Sequence, residues 1–167
     1  TSKPVFVMRS LMLTDGLVSR SVRSKLAIEA SISMARHSKW VMGDAVIIGG
    51  NFVSWYGGFD SYMVASVFQP EMKIYAPSMG RKQKLESQIE DINYLHYQMW
   101  KDWINTLSQF HVGIHLMRTH AAGTFALNCA YWGIPCIGYR GLDTQEQLHP
   151  HTTVDFGDLE HARGVAR

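Results

Sequence analysis

Residues 112–139 read VGIHLMRTHAAGTFALNCAYWGIPCIGY, and this stretch decides the fold. It opens on an unbroken apolar run, 112–117, which predicts a strand that is buried on both faces. A largely apolar segment follows and predicts a helix that ends at Gly133, because glycine is favoured just past a helix C-terminus. A second apolar run, 134–139, predicts another strand. A strand, a helix and a strand in this order predict a parallel βαβ unit.

The same alternation extends over the rest of the chain. Apolar runs predict further strands at residues 4–8, 44–50, 72–76 and 152–156. Apolar residues at helical spacing predict a helix over 18–40, a short helix capped by Asp60, a long helix that carries Leu85, Ile89, Ile92, Met99, Trp103 and Leu107, and a last helix capped by Asp158. The predicted class is therefore α/β, a doubly wound Rossmann-like parallel sheet of about six strands with helices on both faces. Residues 1–167 are expected to form one such domain.

Composition narrows the function classes. Hydrophobic residues make up 46% and charged residues 18% of the 167, which excludes a disordered chain. No apolar run approaches the roughly 20 residues of a membrane span, and the N-terminus has no basic region followed by an apolar core. The formal net charge of +2 suits a phosphorylated ligand and is too small to favour a nucleic-acid partner. We expect a cytoplasmic protein without a membrane span.

The histidines and cysteines do not predict a metal centre. A strand that runs from His111 to His115 spans about 13 Å, too far for two ligands of one zinc ion. Cys129 and Cys136 lie in apolar surroundings, and two buried thiols are expected there, not a disulfide. We expect no metal and no other cofactor.

A ligand site is expected where the strand order of a doubly wound sheet reverses, at the carboxyl ends of the strands. With the usual order this crevice lies beyond strands one and four, so Arg9 to Gly16 and Arg118 to Thr124 flank it. Small residues around Gly123 and Thr124 let backbone N–H groups approach an anion at the positive end of the helix dipole. The Thr124 hydroxyl and the guanidinium of Arg9 or Arg118 are further phosphate donors. The alternative is that the small residues only allow close packing of helix and sheet.

Three other nucleotide and hydrolase signatures are absent. The chain reads RSLMLTDG after residues 4–8, so no G-x-G-x-x-G follows the first predicted strand. Neither G-x-x-x-x-G-K-[ST] nor G-x-S-x-G occurs. These absences count against dehydrogenases, nucleoside triphosphatases and hydrolases.

The segment from His115 to Gln147 resembles the signature of nucleotide-sugar glycosyltransferases with the two-lobed B-type fold (GT-B). In the large retaining family of this fold, E-G-F-G precedes a helix that leads into E-A-x-A-x-G-x-P-V-I. Gly123 falls on the second glycine of the first motif, Gly133 and Pro135 match the second, and Glu146 stands where a later loop carries a glutamate. The resemblance covers most of the chain as topology and about thirty residues as motif.

The resemblance also has departures. The family's two motif glutamates, which contact the donor sugar and the ribose, fall on His120 and Asn128. His120 keeps a hydrogen bond to a sugar hydroxyl, and Asn128 keeps an amide for the ribose diol. Of the family's phosphate-binding Arg and Lys, Arg9 suits the first, whereas Asp15 stands near the second.

The resemblance implies a function for the chain. It implies the C-terminal lobe of a glycosyltransferase, which binds a nucleotide diphosphate sugar, while a missing N-terminal lobe supplies most of the acceptor site. The site residues it implies for the donor are Arg9, Arg118, His120, Gly123, Thr124, Asn128 and Glu146. Trp55 and Tyr56 lie in the loop after the second predicted strand, where the alternatives are stacking on a base and packing in the core. No catalytic residue follows from the matched motif, so the isolated lobe is expected to be inactive. The alternatives are a non-catalytic nucleotide-binding or interaction module of the same fold, and another sugar-nucleotide enzyme such as an epimerase.

Overall fold

A computed structural model describes residues 45–78, 82–120 and 123–167 of the chain. The strand predicted at 4–8, the helix predicted over 18–40 and Arg9 lie outside the described residues.

The described residues contain one parallel sheet of six strands. The strands are β1 (Ala45–Ile48), β2 (Lys73–Pro77), β3 (Ile92–Leu95), β4 (Val112–His115), β5 (Cys136–Tyr139) and β6 (Thr153–Val154). Their order across the sheet is β3-β2-β1-β4-β5-β6. Strands β2 and β3 are added on one side of β1 and strands β4 to β6 on the other, so the strand order switches between β1 and β4. The predicted α/β class and the Rossmann-like parallel sheet are confirmed.

The described residues contain five α-helices, of which four lie between strands and the fifth follows β6. They are α1 (Gly58–Ala65), α2 (Trp100–Leu107), α3 (Thr124–Trp132), α4 (Asp143–Leu148) and α5 (Leu159–Val165). Helix α3 ends as predicted, with Gly133 in the left-handed conformation at φ 71°. Asp158 caps α5 as predicted, because its side chain accepts from the His161 backbone N–H at 2.9 Å.

Apolar side chains cover both faces of the sheet. On one face Val46 and Ile114 pack with Val64 of α1 and Ala162 of α5. On the other face Ile47 packs with residues of α2 and α3, among them Leu107, Phe125 and Cys129. Strands covered on both faces read as continuous apolar runs, which explains why β1, β4 and β5 are visible in the sequence.

The prediction of one long helix from Leu85 to Leu107 is wrong. The segment instead contains a short 3-10 turn, the strand β3 and the eight-residue helix α2. Ile92 pairs with Ile74 of β2 and is buried, and the Asn93 side-chain amide donates to the Ile74 carbonyl at 3.1 Å. The apolar spacing of three and four residues is therefore shared between β3, which lies at the edge of the described sheet, and a later helix. Tertiary pairing overrides the local pattern.

Within the described part of the chain, no helix is long and apolar enough to cross a membrane.

Candidate functional site

The switch in strand order places the crevice between β1 and β4. The usual strand order predicts that the strand at residues 4–8 pairs with β4. In the structure β1 (Ala45–Ile48) pairs with β4 instead. The segment that begins at Gly49 therefore flanks the crevice on one side, and the residues after His115 flank it on the other. Residues 9–16 lie outside the described part, so their expected place beside the crevice stays a prediction.

Helix α3 begins at this crevice. Gly123 precedes it, and the Thr144 hydroxyl of α4 donates to the Gly123 carbonyl oxygen at 2.9 Å. A Cβ atom on Gly123 would collide with Thr144 Oγ1, so glycine is needed for the close approach of α4. Thr124 is the exposed first residue of the nine-residue helix. The first turn thus carries backbone N–H groups without intrahelical partners, and these groups favour an anion.

A pocket of about 270 Å³ adjoins the start of α3. It lies across the carboxyl ends of three neighbouring strands, β1, β2 and β3, and reaches the first turns of α2 and α3. Its lining residues are Gly49, Pro77, Ser78, Leu95, His96, Tyr97, Gln98, Trp100, Trp103, Thr124, Phe125 and Asn128. Thr124 and Asn128, both predicted as donor-binding residues, therefore share one pocket.

Two residues that line the pocket, Gln98 and Asn128, each have a side-chain amide oxygen without a hydrogen-bond partner among the described residues. Asn128 is 3% exposed, and its Oδ1 atom is buried with no partner among the described residues. The Oε1 atom of Gln98 is buried and unpartnered in the same way. A buried acceptor left unpaired costs about 1–3 kcal/mol, so both atoms favour a ligand that brings donors.

The Arg118 guanidinium is engaged within the protein. Its Nε and Nη2 atoms donate to the Asp60 carboxylate at 2.7–3.0 Å. The prediction that Asp60 caps a helix is wrong, because α1 begins at Gly58 and the Asp60 carboxylate is directed to Arg118. The Tyr139 hydroxyl also donates to Asp60, at 3.3 Å, and burial together with the Asp60 charge raises the pKa of Tyr139 to about 12. About half of the Arg118 side chain remains exposed, at 48%.

His120 and Glu146 both contact the loop after β5. The His120 Nδ1 atom lies 2.9 Å from the Gly141 carbonyl oxygen, and Glu146 Oε1 accepts from the Gly141 backbone N–H at 2.7 Å. Both side chains are exposed. The structure thus brings these two predicted residues together at one loop, outside the lining of the pocket.

His115 is a further polar residue at the crevice. It is 7% exposed at the end of β4, its Nε2 atom has no partner among the described residues, and the Tyr56 ring stacks on it with centroids 6.4 Å apart. Burial lowers the pKa of His115 to about 4, so the ring is neutral near pH 7. Among the described residues, no three His, Cys, Asp or Glu side chains form a cluster that could hold a metal ion.

Sequence reasoning missed the segment between β3 and α2. His96, Tyr97 and Gln98 line the pocket, as does Trp100 at the start of α2. The sequence pattern predicts a continuous helix through residues 96–99. A helix there leaves no strand end beside the crevice, so no ligand contacts are expected from this segment. Trp55 and Tyr56, which were expected to be available for stacking, are not among the residues that line this pocket.

The fold is similar to that of proteins of known structure. It matches 44 chains. Anabaena Alr3699/HepE, solved in complex with UDP and glucose, is 10% identical over 82% of this chain and 41% of its own length, with a TM-score of 0.58. AviGT4, a glycosyltransferase involved in avilamycin A biosynthesis, is 11% identical over 78% of this chain and 44% of its own length, with a TM-score of 0.56.

No protein-family profile and no curated protein matches the sequence. At these identities the likeness establishes the fold, and this chain spans less than half the length of the two solved structures.

Proposed function

We propose that this chain is the nucleotide-sugar-binding lobe of a GT-B glycosyltransferase. The carrying observation is the pocket beside the strand-order switch, which is lined by Thr124 at the start of α3 and by Asn128, whose buried amide oxygen has no partner among the described residues. In doubly wound sheets ligands bind at this point. The fold shared with glycosyltransferases of known structure supports the same proposal.

In the proposed complex the diphosphate lies at the N-terminus of α3. The backbone N–H groups that follow Gly123 and the Thr124 hydroxyl donate to it, and the helix dipole favours its charge. Asn128 Oδ1 accepts from a ribose hydroxyl, which gives the buried oxygen its missing partner. Arg9 donates to a phosphate, as the resemblance implies.

The remaining predicted residues would act at the rim of this site. Arg118 holds Asp60 with two of its nitrogens, and this pairing orients the loop after β4 while a half-exposed guanidinium stays near the crevice. His120 and Glu146 would reach the donor sugar from the loop that Gly141 shares with them. In the proposal the N–H groups at the start of α3 and the Arg9 guanidinium neutralise a leaving diphosphate, and no metal ion is needed.

Sugar transfer needs more than this lobe. A transferase holds donor and acceptor about 3–3.5 Å apart in a closed site, and one lobe supplies one wall of such a site. Both solved relatives in fold are more than twice as long as the part that this chain matches. We therefore propose that an N-terminal lobe supplies the acceptor and that the 167 residues alone bind donor without transferring it.

The test is calorimetric titration of the 167-residue chain with UDP, GDP, ADP and NAD. We expect binding of nucleoside diphosphates and none of NAD. Thr124→Glu places a carboxylate among the N–H groups of α3 and is expected to abolish binding, with the circular dichroism spectrum unchanged. Asn105→Glu is the matched control, because Asn105 is exposed on α2 and outside the pocket lining.

Three outcomes would contradict the proposal. Binding that survives Thr124→Glu would remove the diphosphate from α3. No response to any nucleotide would favour a non-catalytic interaction module, the reading to which the loss of both motif glutamates points, whereas a response to NAD would favour an enzyme of the epimerase kind.

A further inference from the structure

A groove of about 520 Å³ lies at the carboxyl edge of the sheet, apart from the pocket beside α3. It is lined by residues 52–55 after β1, by Phe59 of α1 and by residues 83–85, none of which lines the pocket. Phe52 and Phe59 belong to the core that includes Val64 of α1, whereas Phe125 of the pocket packs in the core on the other face of the sheet. The groove and the pocket are therefore separate sites.

The groove has apolar walls, and two of its large side chains are exposed. Phe52 is 3% exposed, and the Phe59 ring packs edge-on against it with ring centroids 5.0 Å apart. Trp55 is 53% exposed and Leu85 is 63% exposed, although both line the groove. An occupant of the groove would remove apolar surface of both side chains from water, which favours an apolar occupant.

The charge beside the groove is positive. Lys84 lines the groove, its side chain is exposed, and it forms no ion pair among the described residues. The two carboxylates next to lining residues in sequence are buried and hydrogen-bonded within the protein. Asp60 accepts from Arg118, and Glu86 accepts from the Gln83 backbone N–H at 2.9 Å. An apolar groove beside an unpaired ammonium group suits an occupant that has an anionic end.

The sheet offers no free strand edge at the groove. Strand β1 lies between β2 and β4, and β2 lies between β1 and β3, so an extended peptide has no main-chain partner there. A buried peptide would have to pair its N–H and C=O groups with the few polar side chains of the lining. A hydrocarbon chain carries no such groups, and the apolar walls therefore favour it over a peptide.

We infer that this groove binds the hydrocarbon chain of an anionic lipid. The chain lies between Trp55 and Leu85, against the rings of Phe52 and Phe59, and Lys84 pairs with the phosphate of the head group. The inference goes beyond the proposed function and does not depend on nucleotide binding.

The first test is calorimetric titration of the full 167-residue chain with dodecyl phosphate and octyl phosphate, both below the concentrations at which they form micelles. Each methylene group that leaves water increases affinity about fourfold. Dodecyl phosphate is therefore expected to bind about 10- to 200-fold more tightly than octyl phosphate. Inorganic phosphate is not expected to displace it, because the hydrocarbon chain supplies most of the affinity.

Substitutions at exposed lining residues locate the ligand. Leu85→Ser and Trp55→Ser are each expected to weaken binding of dodecyl phosphate at least about fivefold. Phe156→Ser is the matched control, because Phe156 is 63% exposed and follows β6, away from β1 and β2 in the strand order.

The charge is tested in the same way. Lys84→Ala is expected to weaken binding of dodecyl phosphate by about two- to fivefold, the range for an exposed ion pair. Lys101→Ala is the control, since Lys101 is an exposed lysine of α2 outside the groove lining. Circular dichroism spectra identical to that of the unmodified chain show that the variants are folded.

The outcomes separate this inference from the proposed function. No binding of dodecyl phosphate, equal binding of octyl phosphate, or the same affinity in Leu85→Ser, Trp55→Ser and Phe156→Ser would overturn the inference. Loss of dodecyl phosphate binding in Thr124→Glu would place the ligand at α3 and would also overturn it. A chain that binds dodecyl phosphate in the groove but no nucleotide would refute the proposed function and support the inference.

Discussion

Replacing Asn128 by leucine should make the protein more stable and unable to bind its ligand. Asn128 is buried inside α3, and its Oδ1 atom has no partner among the described residues. Leucine has a similar branched shape without the polar atoms. The substitution removes an unsatisfied acceptor from the protein and removes, in the proposed complex, the group that binds the ribose.

The size of the effect can be worked out for both states. A buried unpaired acceptor costs about 1–3 kcal/mol, and the added volume of leucine returns part of that, so the free energy of unfolding should rise by about 1–2 kcal/mol. For a chain of this length this raises Tm by about 2–8 °C. A nucleotide at one hundred times its Kd stabilises the unmodified protein by about 2.7 kcal/mol, a gain that the variant lacks. The order of stability should therefore reverse when nucleotide is present.

Thermal unfolding with and without saturating UDP or GDP measures both effects in one assay. Asn105→Leu is the matched control, because it makes the same replacement at an exposed position of α2 and should respond to nucleotide as the unmodified protein does. A variant at Asn128 that unfolds at a lower temperature than the parent without ligand would show that the amide is structural. A full nucleotide shift in that variant would show that the amide does not contact the ligand.

Three further predictions concern packing, pH and turnover. Gly113→Ala should lower the free energy of unfolding by about 1–3 kcal/mol, measured in urea, because its Cβ would lie 2.7 Å from Cys129 Sγ, whereas Gly164→Ala in α5 has open space and should be neutral or stabilising by up to about 1 kcal/mol. The pKa of His115 in the folded protein is about 4, below its usual 6.5. Its neutral ring therefore contributes fully to the free energy of unfolding above pH 6.5, and this contribution is lost as the pH falls toward 4. Between pH 7 and 4 that loss amounts to about 3 kcal/mol, and urea titrations of His115→Phe should lack it. The 167 residues alone should release no diphosphate from nucleotide sugars in an acceptor-dependent manner; robust turnover by the isolated chain would refute the need for a second lobe.

Local signals predicted one half of the site. Helix α3 and its flanking strands are visible because Gly133 ends the helix and because β4 and β5 are buried on both faces. The position of Asn128 within the helix follows from those bounds. The lack of a partner for the Asn128 side-chain oxygen among the described residues could not be predicted in this way, because it depends on every element that packs against the helix.

The segment from His96 to Trp100 was not predicted as part of the site, because the sequence pattern around it fits both a long helix and a strand followed by a helix. The apolar residues from Leu85 to Leu107 have helical spacing, yet Ile92 lies in β3, at the edge of the described sheet, and pairs with Ile74 of β2. Edge strands carry a weaker signal than central ones because one of their sides lacks a strand partner. If β3 is interpreted as part of a helix, the segment from His96 to Trp100 no longer follows the carboxyl end of a strand. Ligand contacts are then not expected from it.

The two halves meet in a pattern that stability alone does not explain. Gln98 and Asn128 lie in different parts of the fold, thirty positions apart, and both line the same pocket. Each has a buried side-chain oxygen without a partner among the described residues. Together they cost about 2–6 kcal/mol, a large fraction of the roughly 5–15 kcal/mol by which a domain is stable. Folding by itself favours apolar side chains at both positions. A ligand that brings hydrogen-bond donors to this pocket would relieve both oxygens at once, which gives one physical reason for both residues.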